Sequence, residues 1–209
     1  MKLVCLSDLH NAEALVKVPE GDILIFAGDI CAPNIKYLSI FKRWLDSLPH
    51  KYKIVIAGNH DVFLEENNPL TREMLKNSCT YLENSGCEIE GIKFWGSPIT
   101  PQFMDWAFMK ERGDEIKQYW DLIPKVDVII THGPPYGILD KVAANYGNNC
   151  VGCYDLLQAV KRIKPKLHVF GHIHSCGSKI KKEGITTFIN ASIVNDYLEP
   201  VNEPIVVEV

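Results

Sequence analysis

The chain lacks long apolar runs: none of its 209 residues lies in a stretch approaching the roughly 18 apolar residues of a membrane-crossing helix. Its N-terminus also lacks a basic segment leading into an apolar stretch and a small-residue cleavage site, so a cytoplasmic protein is expected. An excess of positive charge is missing as well. Lys and Arg number 22 against 26 Asp and Glu, a formal net charge of −4. That balance argues against a broad basic surface for nucleic acid or membrane. The seven cysteines, Cys5, Cys31, Cys79, Cys87, Cys150, Cys153 and Cys176, are odd in number and scattered, and read as reduced thiols. Only Cys150 and Cys153 have a metal or redox spacing, and no second pair completes a four-thiolate zinc site. Internal repeats, low-complexity tracts and linkers are absent, and the length suits a single domain over 1–209.

What the chain does have is a series of short, β-prone apolar runs. Lys2–Leu6, Ile23–Ala27, residues 53–57, residues 127–130 and Leu167–Phe170 read as strands, the most uninterrupted of them buried on both faces as in a parallel α/β core. Helices are predicted between them. One covers about residues 35–48 with Asn34 as its cap, placing Leu38, Phe41, Leu45 and Leu48 on one face. Asn68 is read as the cap of a short helix running to about Asn77, with Pro69 at its first position. Ile116, Tyr119, Trp120 and Ile123 mark a third, and Leu156, Leu157, Val160 and Ile163 a fourth, stopped by Pro165. Glu90-Gly91 reads as a hairpin turn, residues 96–109 as a long ordered loop, and residues 187–189 and 205–207 as the last strands.

The strands share one habit: each predicted buried run stops at a potential metal ligand. Asp8 and His10, Asp29, Asn59 and His60, His132, and His172 and His174 all follow a last apolar position within a few residues. In open α/β sheets the carboxyl ends of the strands form the ligand crevice. Carboxylate, carboxamide oxygen and imidazole suit hard to borderline divalent ions such as Mn²⁺, Fe²⁺ and Zn²⁺. These groups are too many for one tetrahedral ion. Two ions about 3.5–4 Å apart, bridged by a carboxylate, would use them.

Asp8-x-His10, Gly28-Asp29, Gly58-Asn59-His60-Asp61, His132 after a strand, and Gly171-His172-x-His174 resemble, in this order, the motifs of calcineurin-like metallophosphoesterases. Ser97-Pro98, Phe103, Trp106-Ala107-Phe108, the run from Thr131 to Pro135, the run from Leu167 to His172, and the Cys150/Cys153 pair are similar to the metallophosphoesterase-domain-containing (MPPED-like) subgroup. The resemblance implies a four-layer αββα sandwich with two central mixed β-sheets. It also implies two divalent metal ions, manganese foremost, with iron or zinc as alternatives. Asp8, His10 and His174 would hold the first, Asn59, His132 and His172 the second, and Asp29 would bridge them. His60 would act as general acid, with Asn59, His60 and His132 facing the substrate. The implied reaction is hydrolysis of a phosphodiester, a nucleotide or cyclic nucleotide included, by a hydroxide between the metals. The partner would be a small phosphoester, with no membrane and no strong nucleic-acid surface. A non-catalytic scaffold of the same fold is the rival, countered by the presence of His60; a nuclease ranks lower because the chain is acidic.

Two departures stand out. Asp29 is followed by Ile30-Cys31-Ala32-Pro33-Asn34, without the second aspartate or the arginine that many such enzymes carry there, and Ser175 replaces a glutamate common in the subgroup. Asp61 is read either as the group that orients His60 or as the holder of a backbone turn. His50 and His168 have no motif and read as solvated or core residues. Trp95, Phe103, Trp106 and Phe108 could form a wall for a nucleobase, although core packing is the default for aromatics. Lys179, Lys181 and Lys182 read as a solvated strand end.

Overall fold

Alternation along a strand sends successive side chains to opposite faces. In β1 (Lys2–Leu6) and β2 (Ile23–Ala27) both faces are apolar and buried. The structure, a computed structural model, describes residues 1–144, 147 and 149–209. After β2 follow α1 (Ile35–Ser47), β3 (Tyr52–Ile56), α2 (Val62–Glu66), α3 (Asn68–Leu75) and β4 (Thr80–Tyr81). Next come β5 (Ser85–Ile89), β6 (Ile92–Ser97), β7 (Thr100–Pro101), β8 (Met109–Lys110) and α4 (Asp114–Asp121). The chain continues through β9 (Val128–Thr131), α5 (Tyr154–Ile163), β10 (Leu167–Phe170), β11 (Lys179–Glu183), β12 (Thr186–Asn190) and β13 (Ile205–Glu208).

The strands form two mixed sheets, in the orders β13-β1-β2-β3-β4 and β11-β12-β10-β9-β6-β5. β13 is antiparallel to β1, and β5 and β11 are antiparallel edges of the second sheet; the inner neighbours are parallel. Leu3, Cys5, Ile23, Ile25, Ile54 and Ile56 of the first sheet pack with Phe94, Val128, Ile130, Leu167, Val169 and Ile189 of the second. Val4, Leu24, Phe26 and Val55 face the other way, toward Leu38, Phe41 and Leu45 of α1, with the Phe26 and Phe41 rings 5.0 Å apart. On the far side, Ile129, Phe170 and Phe188 meet Ile116 and Trp120 of α4 and Leu156, Val160 and Ile163 of α5. The result is the αββα sandwich.

Local signals explain most elements. Asn34 caps α1 by accepting from Lys36 N at 3.0 Å. Glu90 and Gly91, at φ 50 and 81, turn the β5–β6 hairpin with the positive angles of a type I′ turn. Asn68 corrects the expectation. It is the first helical residue of α3 and not its cap, because its Oδ1 accepts from Arg72 Nε one turn ahead at 2.8 Å. The loop over residues 96–109 contains β7, which pairs in parallel with β8. No helix among the described residues is long and apolar enough to cross a membrane.

Candidate metal centre

Parallel strands in register bring their carboxyl ends to one edge: Leu6 lies opposite Phe26, Ala27 opposite Ile56, and Val169 opposite Ile130. The two sheets are stitched there. Ile193 N donates to Ser7 O at 3.0 Å, and the ring of His132, after β9, contacts Ala27 O, at the end of β2, at 2.9 Å.

The turns that follow the strands are sharp. Asp8, His10, Asp29 and His172 have φ of 56, 44, 59 and 67, a left-handed region that costs a non-glycine residue about 1–3 kcal/mol. Gly28, at φ 98, precedes Asp29 where a Cβ would lie 2.6 Å from both Ala57 O and His132 Nδ1. Backbone donors then fix the carboxylates. His172 N donates to Asp8 Oδ1 at 3.1 Å and Oδ2 at 3.0 Å, and His60 N to Asp29 Oδ1 at 2.9 Å.

Two sets of donor atoms converge, each lying within 4.8 Å of one another: Asp8 with His10 and His174, and Asp8 with Asp29 and His132. Asp29 touches both sets, with Oδ2 3.5 Å from His10 Nε2 and Oδ1 3.3 Å from His132 Nε2. His174 Nε2 is 3.5 Å from Asp8 Oδ1. His172 belongs to neither set, though its ring stands 5.0 Å from that of His132. His60 stands beside them, 5.1 Å from the His10 ring.

The chemistry of these donors fits a cation. His132 Nδ1 lies 2.9 Å from Ala27 O and its Nε2 2.9 Å from Asn59 Oδ1, so both ring nitrogens face oxygen acceptors, an arrangement that suits a charged imidazolium or a cation bound beside a neutral ring. His10 Nε2 and Asn59 Nδ2 are buried without a hydrogen-bond partner, an arrangement folded proteins rarely leave uncompensated.

The ionisation of the bare site tells the same story. Burial opposes charge on Asp8, but the hydrogen bond and charge of His174 and the charge of His132 outweigh it and bring the carboxyl down to about 2. Asp29, equally buried, is held well below the usual carboxylate range by His132 and then by His10 and His60. His132 resists burial because Asp29 draws its pKa up to about 9. Burial, followed by the charge of His132, pulls His172 down to about 3. Buried acids and bases thus take up the charges that an ion would otherwise balance.

Asp61 resolves toward the backbone. It is fully buried, and its oxygens accept from Gly58 N at 2.8 Å and from Ile30 N and Ala32 N at 3.2 Å each. Burial, then the charge of Asp29, pushes its carboxyl up to about 7. His50 and His168 are core residues: His50 Nε2 contacts Pro19 O at 3.0 Å and His168 Nε2 contacts Thr131 Oγ1 at 2.8 Å. Lys179, Lys181 and Lys182 lie on the edge strand β11. Cys153 Sγ accepts from Leu156 N at 3.5 Å at the start of α5, and Cys176 donates to Lys141 O at 3.4 Å; no cysteine enters either donor set.

A cavity of about 730 Å³ opens over the centre, lined among others by Asp29, Asn59, His60, Trp106, Arg112 and His172. That volume suits a small-molecule ligand. Of the four aromatics, Phe103 and Trp106 line it, whereas Trp95 and Phe108 are buried in the core. Arg112 was not foreseen, since no motif surrounds it. Its guanidinium donates to Val151 O at 2.6 Å and Gly152 O at 2.8 Å, fixing one wall.

A model described as calcineurin-like phosphoesterase matches residues 1–176. Metallophosphoesterase domain-containing protein 1 of Homo sapiens is 39% identical over 233 residues, covering 99% of this chain and 70% of that protein. A UPF0046 protein of Caenorhabditis elegans is 36% identical over 229 residues, covering 100% of this chain and 81% of its own length. Among solved structures, a protein of Thermus thermophilus has a TM-score of 0.59 at 16% identity, covering 90% of this chain and 88% of that one.

Proposed function

The chain belongs to the calcineurin-like phosphoesterase family, and from that premise we propose that it is a metal-dependent hydrolase of phosphodiesters, nucleotides and cyclic nucleotides among them. The observation that carries the reading is Asp29, whose two oxygens face His10 and His132 on opposite sides. In this reading Asp8, His10 and His174 hold one divalent ion, Asn59, His132 and His172 hold a second, and Asp29 is shared. Manganese suits these oxygen and nitrogen donors, as do iron and zinc. Divalent ions held there supply Lewis acidity, activating water and neutralising charge on the phosphoryl oxygens.

The remaining work belongs to the side chains. Asp8 and Asp29 are almost wholly buried, so they hold their charge away from water, Asp29 at the floor of the cavity. His60 lies on the cavity wall outside both donor sets and donates a proton to the departing oxygen. Its backbone N–H on Asp29 keeps it in step with the centre. Asn59 and His60 line the cavity on the substrate side, His132 is wholly buried in contact with Asn59, and Phe103 gives a small phosphoester an apolar surface.

Replacement tests the assignment. His60→Ala should keep the Mn²⁺ content of the purified protein and lower turnover of diphenyl phosphate, whose phenoxide leaving group needs a proton, by about 10²-fold or more, the ordinary weight of a positioned acid. Turnover equal to wild type would remove His60 from the reaction. Asp29→Asn should lower Mn²⁺ stoichiometry measured by elemental analysis. A wild-type protein that saturates at one ion would refute the paired centre.

A further inference from the structure

A general acid must be aimed, and among the described residues no carboxylate is hydrogen-bonded to the His60 ring. The adjacent acid, Asp61, is engaged by three backbone N–H groups. Ile30–Asn34 supplies no acid either. What lies against the imidazole is aromatic. The indole of Trp106 has its centroid 4.6 Å from that of His60, with the planes inclined at 43°, and the His10 ring meets it edge-on at 5.1 Å.

Trp106 is itself fastened from several directions. Ala107 N donates to Asn59 O at 3.1 Å, which ties the residue after the indole to the residue before the imidazole. Phe108 N donates to Glu65 Oε1 at 2.9 Å, and Glu65 lies on α2, which begins directly after Asp61. Phe108 is buried at φ 58, a backbone conformation that a bulky residue keeps only where its surroundings impose it. Phe103 supports the indole edge-on, with ring centroids 5.8 Å apart. The contacts close a loop through His60, α2, Glu65, Phe108 and Trp106. They fix the separation of the two rings, and among the described residues no side chain is hydrogen-bonded to the imidazole.

We propose that Trp106 is the positioning residue of His60, holding the imidazole by stacking where other histidines are held by a hydrogen-bonded carboxylate. The proposal rests on the reading of His60 as proton donor. A ring that drifts by about 1 Å can lose as much as 10²-fold in rate, so a stacked wall is enough to matter.

The test uses the full chain with Mn²⁺ and a series of aryl phosphodiesters running from p-nitrophenyl to unsubstituted phenyl leaving groups. The more basic the departing oxygen, the more it needs an acid. Trp106→Leu should lower kcat about tenfold on the phenyl ester, much less on the p-nitrophenyl ester, and change KM less than about twofold. Trp106→Phe should restore most of the loss. In a His60→Ala background Trp106→Leu should cost nothing further, because the two residues act as one unit. A raised KM with unchanged kcat would make Trp106 a substrate wall and overturn the proposal, as would an additive loss in the double variant. His60→Ala that is fully active would instead overturn the general-acid reading itself. One measurement needs no turnover: the His60 ring proton resonance, identified by its loss in His60→Ala, should carry an indole ring-current shift. That shift should vanish in Trp106→Leu and persist in part in Trp106→Phe. A His60 resonance unmoved by either change refutes the stacking directly.

Discussion

Asp61 sits next to His60 in sequence and yet serves the main chain. Its carboxylate gathers N–H groups from Gly58, Ile30 and Ala32, and so ties the turn after β3 to the turn after β2. Asp61→Asn leaves one oxygen for three donors and turns an NH₂ toward N–H groups. The expected cost is about 2–4 kcal/mol of unfolding free energy, read from urea melts, since buried donors lose their partner. The leaving-group dependence of turnover should stay that of wild type. A variant of unchanged stability that loses turnover as His60→Ala does would restore Asp61 as the orienting group. Gly58 makes a second residue-scale case. A Cβ there would lie 2.2 Å from Asp29 Oδ1 and 2.5 Å from Asp29 N, with backbone on one side and a carboxylate on the other. Gly58→Ala should therefore weaken Mn²⁺ binding by about 10–100-fold in a calorimetric titration, the range seen when groups supporting a ligand are disturbed.

At the scale of elements, α5 ends on Lys164 in the left-handed region at φ 53, with its N–H on Val160 O at 2.8 Å. Glycine relieves the Cβ penalty there, so Lys164→Gly should raise stability by about 0.5–1 kcal/mol in a denaturant melt. The elements also show what could be read in advance. β1, β2 and β10 were legible to the residue because strands buried on both faces are nearly all apolar, Lys2 and His168 apart, and stop abruptly at Ser7, Gly28 and Gly171. The potential ligands follow those stops and the end of β9, and Asp8, His10, Asp29, His132 and His174 fall in the two donor sets. α2 escaped notice because five residues do not establish a helical period. β4, β7 and β8 are two-residue strands defined only by their partners, and β11 is an exposed, lysine-rich edge with little apolar alternation. The contact between Trp106 and His60 was out of reach for a different reason. All four aromatics of that region look alike in sequence, and only the fold separates them, with Trp95 on β6 facing the core and Trp106 on the cavity.

For the whole molecule, the centre joins two sheets whose contact is otherwise apolar. An ion that binds only the folded chain adds about 2.7 kcal/mol at one hundred times its Kd. Mn²⁺ should therefore raise the melting temperature of the protein, EDTA should reverse the rise, and Asp29→Asn should abolish most of it in thermal melts. β11 closes the second sheet with Lys179, Lys181 and Lys182 along its edge, and such charge discourages edge-to-edge pairing. The hydrogen bonds from His172 N to Asp8 span 164 positions of chain. Contacts of that separation form late, because the loop between them must be closed before it is rewarded. A growing chain consequently carries half a ligand set, with no partner for it, until β10 has been made and has docked against β1. Ions bound there would not guide early folding; they would mark its completion. In a refolding trace, Mn²⁺ uptake should follow the far-UV signal of the sheets and never precede it.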